Sequence, residues 1–214
     1  MDKDEQSIEN SAKWGALGWA MPPFLALDFC SYPPPPTREE ADRMIMNECT
    51  DENLESMWQG IRDEDYCDVD DWNEAVTDYK NRCYKSCALL LYSMIEHLLI
   101  SGQKDIAPDE KCLLGKDAFP KMEKYWKTRK QPASQFVSPV MRNNFDRYFS
   151  LNINACLNVF FEGGKNFTLD GSFPYRNMLL HGMFVRKVEP KDCLQLFFLY
   201  WPVAATIYDK NKMP

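Results

Sequence analysis

Apolar residues recur every three or four positions through several long stretches of the chain, and that period marks amphipathic helices. The pattern is strongest from Trp72 to Ile100, where Tyr84, Cys87, Ala88, Leu91, Met94, Ile95 and Leu98 form one stripe. It predicts a long central core helix ended by Ser101-Gly102. An earlier helix is expected to open at Thr37, with Glu39 and Glu40 in its first turn, and to run through Met44, Ile45, Leu54 and Trp58 to about Ile61. A second strong helix spans Val140 to Phe161, carrying Phe145, Tyr148, Phe149, Ile153, Leu157 and Phe160, and closes at Glu162-Gly163-Gly164. A last apolar helix runs from about Lys191 to Tyr208 and has to kink or step at Pro202. No alternating β-branched stretch of useful length occurs, so the fold class is all-α, a helical bundle.

Between these helices the pattern lapses. Residues 1–12 are polar and read as loose. Trp14 to Phe29 holds two glycines and two prolines, which deny it a regular long helix, so it reads as an apolar flap packed on the body. Pro33 to Pro36 makes a stiff polyproline spacer. The acidic run Asp63 to Asp71 lacks the glycine-centred spacing of a calcium loop and reads as a solvated connector. Prolines at 108, 120, 132 and 139 make residues 102–139 irregular, with one short helix around Phe119 to Trp126. The organisation expected is an N-terminal extension and spacer over 1–36, an acidic helical segment over 37–75 and a bundle over 76–214. Residues 37–214 also read as one domain.

Composition narrows the chemistry. With 45% hydrophobic and 14% aromatic residues in 214, the chain has material for a sizeable core. Its opening residues Met-Asp-Lys-Asp-Glu-Gln are not an apolar leader, so its eight cysteines are expected to be reduced thiols in a cytoplasmic protein. No Cys-x-x-Cys pair occurs and only His97 and His181 are histidines, so no metal site and no cofactor are expected. Cys83 and Cys87, one helical turn apart, read as small side chains on a core stripe. The longest apolar run, Cys193 to Ile207, contains Gln195 and Pro202 and falls short of the ~20 residues of a membrane span, so no membrane partner is expected. The net charge of −7 hides an asymmetry: residues 1–75 carry 19 acidic and 5 basic side chains, and residues 76–214 carry 13 and 20. The basic half suits a polyanionic partner.

That half contains the one place where chemically capable residues interrupt an apolar helical pattern, Phe173-Pro-Tyr-Arg-Asn-Met-Leu-Leu-His-Gly-Met-Phe184. Pro174 suits a first helical turn, with Ser172 or Asp170 as cap, so a helix start is expected near 172–174. Asn177 and His181 then fall four apart on one face, with Arg176 in the first turn beside them. A guanidinium at a helix N-terminus makes a phosphate site, and an imidazole a turn further on can move a proton there. Gly182 next to the histidine allows another backbone to approach. Glu96, flanked by leucines, calls for a partner such as an arginine, whereas His97 reads as a rim residue. Lys124, Lys127, Arg129 and Lys130 interleave with Tyr125 and Trp126, a pattern that also suits single-stranded nucleic acid. By spacing alone the motif is still satisfied by a surface arginine and a hydrogen-bonded histidine.

The spacing Arg176-Asn177-Met178-Leu179-Leu180-His181 resembles the motif of the HEPN proteins, small helical bundles with an arginine, four to six residues and then a histidine. The Trp-rich, proline-containing N-terminal segment is similar to those ahead of HEPN-like domains in abortive-infection and phage-defence proteins. The resemblance covers about residues 76–209. It implies a metal-independent endoribonuclease, a toxin or defence effector acting on RNA, and a homodimer whose two motifs meet across the interface. His181 would then act as general base or acid, Arg176 would bind the scissile phosphate and Asn177 would orient phosphate or ribose. Arg186 and Lys187 would extend the phosphate path, with Lys165 a more distant candidate. Members paired with an antitoxin commonly carry a tyrosine two residues after the histidine, where this chain has Met183. A regulatory or antitoxin partner is therefore an open expectation. The alternative is a bundle that has lost catalysis and serves as an RNA-binding or protein-interaction module.

Overall fold

The computed structural model describes residues 3–21, 32–64, 66–128, 139–162, 171–184 and 186–211. Over these the chain forms α1 (Lys3–Ala16), α2 (Arg38–Glu48), α3 (Asp51–Asp63), α4 (Val69–Lys80), α5 (Tyr84–Ile106), a short 3-10 turn (Gly115–Asp117), α6 (Ala118–Thr128), α7 (Pro139–Phe160), α8 (Arg176–Leu180) and α9 (Pro190–Asn211). No strand occurs among the described residues, and the fold is all-α. None of these helices is long and apolar enough to cross a membrane.

The core is built on α5 and α9, with α4 and α6 against α5 and with α7 against α9 and α1. The side chains of Leu194, Leu196, Phe197, Phe198 and Leu199 are all fully buried, as are Val203 and Ala204 beyond Pro202. Burying a Leu or Phe side chain contributes about 1.5–3 kcal/mol, so two of them offset the ~3 kcal/mol that a proline costs inside a helix. The helix accordingly runs through Pro202 without ending. Trp72 seats edge-on against Phe197 at 5.3 Å and tilts over Tyr200 at 5.1 Å, which fastens α4 to α9. The Trp72 indole donates to the Trp58 carbonyl at 3.2 Å and Tyr200 to the Tyr66 carbonyl at 2.9 Å. The acidic 37–75 segment thus shares its aromatic core with the bundle.

Several boundaries differ from the sequence pattern. The stretch 37–61 is two helices, because Thr50 caps a new start by accepting from the Asn53 N–H at 3.2 Å. Thr37 does cap α2, accepting from Glu40. The stretch 72–100 is also two helices: α4 begins at the Asp68 cap and ends at Asn81, and Arg82 takes a left-handed φ of 61° before α5 starts. Residues 101–102 do not stop α5. A Cβ on Gly102 would meet the Met122 sulfur at 2.9 Å and Ile207 at 3.1 Å, so this glycine permits close helix packing rather than an end. Of the two neighbouring cysteines, Cys87 is buried and Cys83 exposed.

The N-terminal residues are not loose. They form α1, whose Gly15 approaches α7 so closely that a Cβ there would lie 2.5 Å from the Asn152 carbonyl oxygen. Asn152, fully buried, donates to the Ser11 carbonyl at 2.7 Å and the Trp19 carbonyl at 3.2 Å and accepts from the Met21 N–H at 3.1 Å. One side chain thereby satisfies three backbone groups, one inside α1 and two in the turn that follows it. Trp14, Trp19, Ala20 and Met21 are buried, as a flap packed on the body requires, and the Trp19 indole donates to Asp42 at 2.9 Å. The rest of that stretch, 22–29, lies outside the described residues, as do Arg129, Lys130 and Lys165, and nothing is described of the side chains from Tyr125 to Thr128.

Candidate functional site

The motif segment is anchored from beneath before its helix begins. The Arg38 guanidinium lies 3.6 Å over the Phe173 ring, and the Phe160 and Phe173 rings meet edge-on at 6.1 Å. Tyr92, fully buried on α5, donates its hydroxyl to the Pro174 carbonyl. Burial pushes that phenol well above its ordinary pKa, so the hydroxyl stays a donor. Tyr175 is the residue before α8, with no side-chain cap, so the helix starts at Arg176 rather than near 172–174. It is one turn long. Met178 and Leu179 are buried under it, while Leu180 and His181 are exposed.

Arg176 reaches across to α5, where its Nη2 donates to Glu96 at 2.6 Å; Nη1 donates to the Asn177 side-chain oxygen at 2.9 Å. Glu96 thus has its arginine partner. The two charged side chains retain 26% and 19% of their exposure, so water screens the pair only in part. Nε of Arg176 is buried and has no hydrogen-bond partner. The guanidinium is held through two of its five N–H donors, one on each terminal nitrogen.

His181 is the residue on which α8 ends, its N–H donating to the Asn177 carbonyl at 3.1 Å. Asn177 and His181 are joined by this backbone bond rather than by sharing the face of a longer helix. Gly182 follows at φ 69°, its N–H bonded to Leu179 and the Met183 N–H to Met178, a Schellman stop. A Cβ on Gly182 would meet nothing within 4 Å. The glycine supplies the left-handed turn, and among the described residues nothing crowds the place where its Cβ would stand.

Arg186 is committed. It makes a two-pronged bond to the fully buried Asp192, 2.7 Å on each arm, and donates to the carbonyls of Gly171 at 2.8 Å and Lys187 at 2.9 Å. The hydrogen bonds to Asp192 raise its pKa further. Asp192 also accepts from the Glu189 N–H at 2.8 Å, closing a capping arrangement at the start of α9. Arg186 is therefore a clasp that ties Gly171, two residues ahead of the motif segment, to the helix after it. Lys187 is exposed and lines a cleft of about 720 Å³ that opens beside Gly182. The structure brings Arg176, Asn177 and His181 onto one turn and sets Arg186 and Lys187 at the cleft alongside; His97 is exposed on α5.

Sequence reasoning did not single out Tyr92 or Asp192. A lone aspartate ahead of an apolar run was the available signal for Asp192, and nothing in the pattern distinguishes Tyr92 from its apolar neighbours. No protein-family model, curated protein or solved structure matches the chain.

Proposed function

We propose that the chain is a metal-independent endoribonuclease of HEPN type, a toxin or phage-defence effector of the cytoplasm that works as a homodimer. The observation that supports this best is the Glu96–Arg176 pair at 2.6 Å, which fixes a partly exposed guanidinium one helical turn ahead of the exposed His181. RNA brings its own nucleophile. His181 takes the proton of a ribose 2′-OH, the oxygen attacks the adjacent phosphorus, and the 5′-oxygen leaves with a proton from the second copy's histidine. Arg176 offsets the negative charge that builds on the phosphoryl oxygens, and the Asn177 amide offers further donors. The product is a 2′,3′-cyclic phosphate. Leu180 and Met183 bracket His181 and are 45% and 50% exposed, apolar surface that a second copy would cover while delivering its own motif.

One observation favours the binding-module reading: Glu96 already neutralises Arg176, so a phosphate has to share the guanidinium. Cleavage of labelled RNA with EDTA present, by the unmodified protein and by Arg176→Ala and His181→Ala, separates the two. The ribonuclease reading expects cyclic-phosphate ends and a loss of about 10²–10⁴ in rate for His181→Ala. Equal cleavage by all three proteins sinks it, and absence of cleavage from any of them transfers support to the binding module.

A further inference from the structure

The cleft beside the motif has a second wall that the motif does not contain. It is made by the turn between α4 and α5 and the start of α5, where Arg82 and Lys85 line the opening together with Gly182 and Lys187. Arg82, Lys85 and Lys187 are exposed, and none of the three makes an ion pair among the described residues. No described lining residue is acidic. The one cation there with a matched charge is Arg186. Three positive charges without an ion-pair partner around one opening, in a chain of net charge −7, favour an anion there.

The backbone beneath Arg82 adds to this. The Cys83 N–H bonds to the Asp78 carbonyl at 2.8 Å and the Arg82 N–H to Tyr79 at 3.0 Å, the same Schellman stop as at Gly182. Here an arginine stands at the left-handed position usually taken by glycine, which costs on the order of 1–2 kcal/mol. The floor is apolar, with Leu89 and Leu179, and half-buried Tyr84 presents an aromatic ring on which a base can stack.

We infer that this cleft holds the single-stranded RNA leading away from the scissile phosphate, with Arg82, Lys85 and Lys187 on its backbone and Tyr84 against a base. The inference rests on the ribonuclease reading for the choice of RNA. The cleft is continuous with the motif, because Leu179 and Gly182 line it on either side of Leu180 and His181. A strand gripped there runs on toward Arg176, which is held against Glu96 farther along α5.

The test is the anisotropy of a short labelled, 2′-O-methylated single strand, which binds without being cleaved, titrated with the full chain over a range of salt. R82Q/K85Q should weaken binding by about tenfold or more at low salt and reduce the slope of log affinity against log salt by about 1.4, at ~0.7 per phosphate contact. K104Q, at the far end of α5, should change neither. Unchanged binding by R82Q/K85Q, no binding by the unmodified protein, or equal displacement of the strand by polyglutamate would each overturn the inference. If the unmodified protein cleaves RNA but R82Q/K85Q binds normally, the cleft assignment alone falls. If binding depends on Arg82 and Lys85 but no protein cleaves, the cleft stands and the ribonuclease reading falls.

Discussion

Glu96 and Arg176 are eighty positions apart in sequence and 2.6 Å apart in space. Their contact joins the bundle's central helix to the motif. A double-mutant cycle of Glu96→Gln and Arg176→Gln, read by urea denaturation, is expected to give a coupling of about 0.5–3 kcal/mol. Additive single effects would show that the contact adds nothing to folding.

Tyr92→Phe removes only the hydroxyl that meets the Pro174 carbonyl, in a fully buried setting. The stranded carbonyl should cost about 1–3 kcal/mol in urea unfolding. On the ribonuclease reading, RNA cleavage should fall more than stability at assay temperature explains, because the start of α8 loses its anchor.

Arg186→Gln leaves Asp192 buried with its charge uncompensated. A loss of about 3–5 kcal/mol is expected, seen as a lowered thermal midpoint, whereas exposed Lys187→Gln should leave the midpoint unchanged. An unaltered midpoint in Arg186→Gln would return that residue to the role of an available phosphate ligand.

Two glycines should respond differently to alanine. At Gly15 the new Cβ would press on the Asn152 carbonyl at 2.5 Å, backbone that cannot move without displacing α7. At Gly182 there is room, and only the φ of 69° is unfavourable, at about 1–2 kcal/mol. Circular dichroism melts should rank Gly15→Ala as the more damaging, and Gly182→Asn should recover part of the Gly182→Ala loss.

Alkaline pH should unfold the protein from about pH 9 upward. Burial pushes the Cys49 thiol from 9.0 up to about 12, and burial likewise raises Cys156, Tyr79 and Tyr200. These groups stay protonated when folded while the unfolded chain ionises, so their full stability is present below the unfolded pKa values and is lost as pH rises toward the folded ones. The urea midpoint should therefore fall between pH 9 and 12, and a flat profile would contradict the burial of these groups.

The helices were legible wherever an apolar stripe had to face the core, as in α5, α7 and α9. Their interruptions were not. A helical period continues across Arg82 because nothing in it registers an arginine at the place of a C-terminal glycine, and Thr50 is a capping residue inside an otherwise periodic run. The polar character of residues 1–12 hid α1, which is fixed by tertiary bonds from Asn152. At the site, the burial of Glu96 called for a cation, but which of the arginines would reach it depends on how α8 lies over α5. Arg186 showed only its charge and its closeness to the motif. Its engagement became visible once Asp192 was placed beneath it.

Tyr92 and Glu96 are four residues apart on α5, so both look out on the same side of one rod. The cleft's Lys85 stands on that rod about 16 Å from Glu96 at 1.5 Å per residue. A slip of α5 by a single residue would turn it by about 100° and take the Pro174 anchor, the Arg176 counter-ion and the cleft wall away together. The motif is thus assembled or dismantled as a unit, and whatever grips the exposed end of α5 is mechanically connected to Arg176.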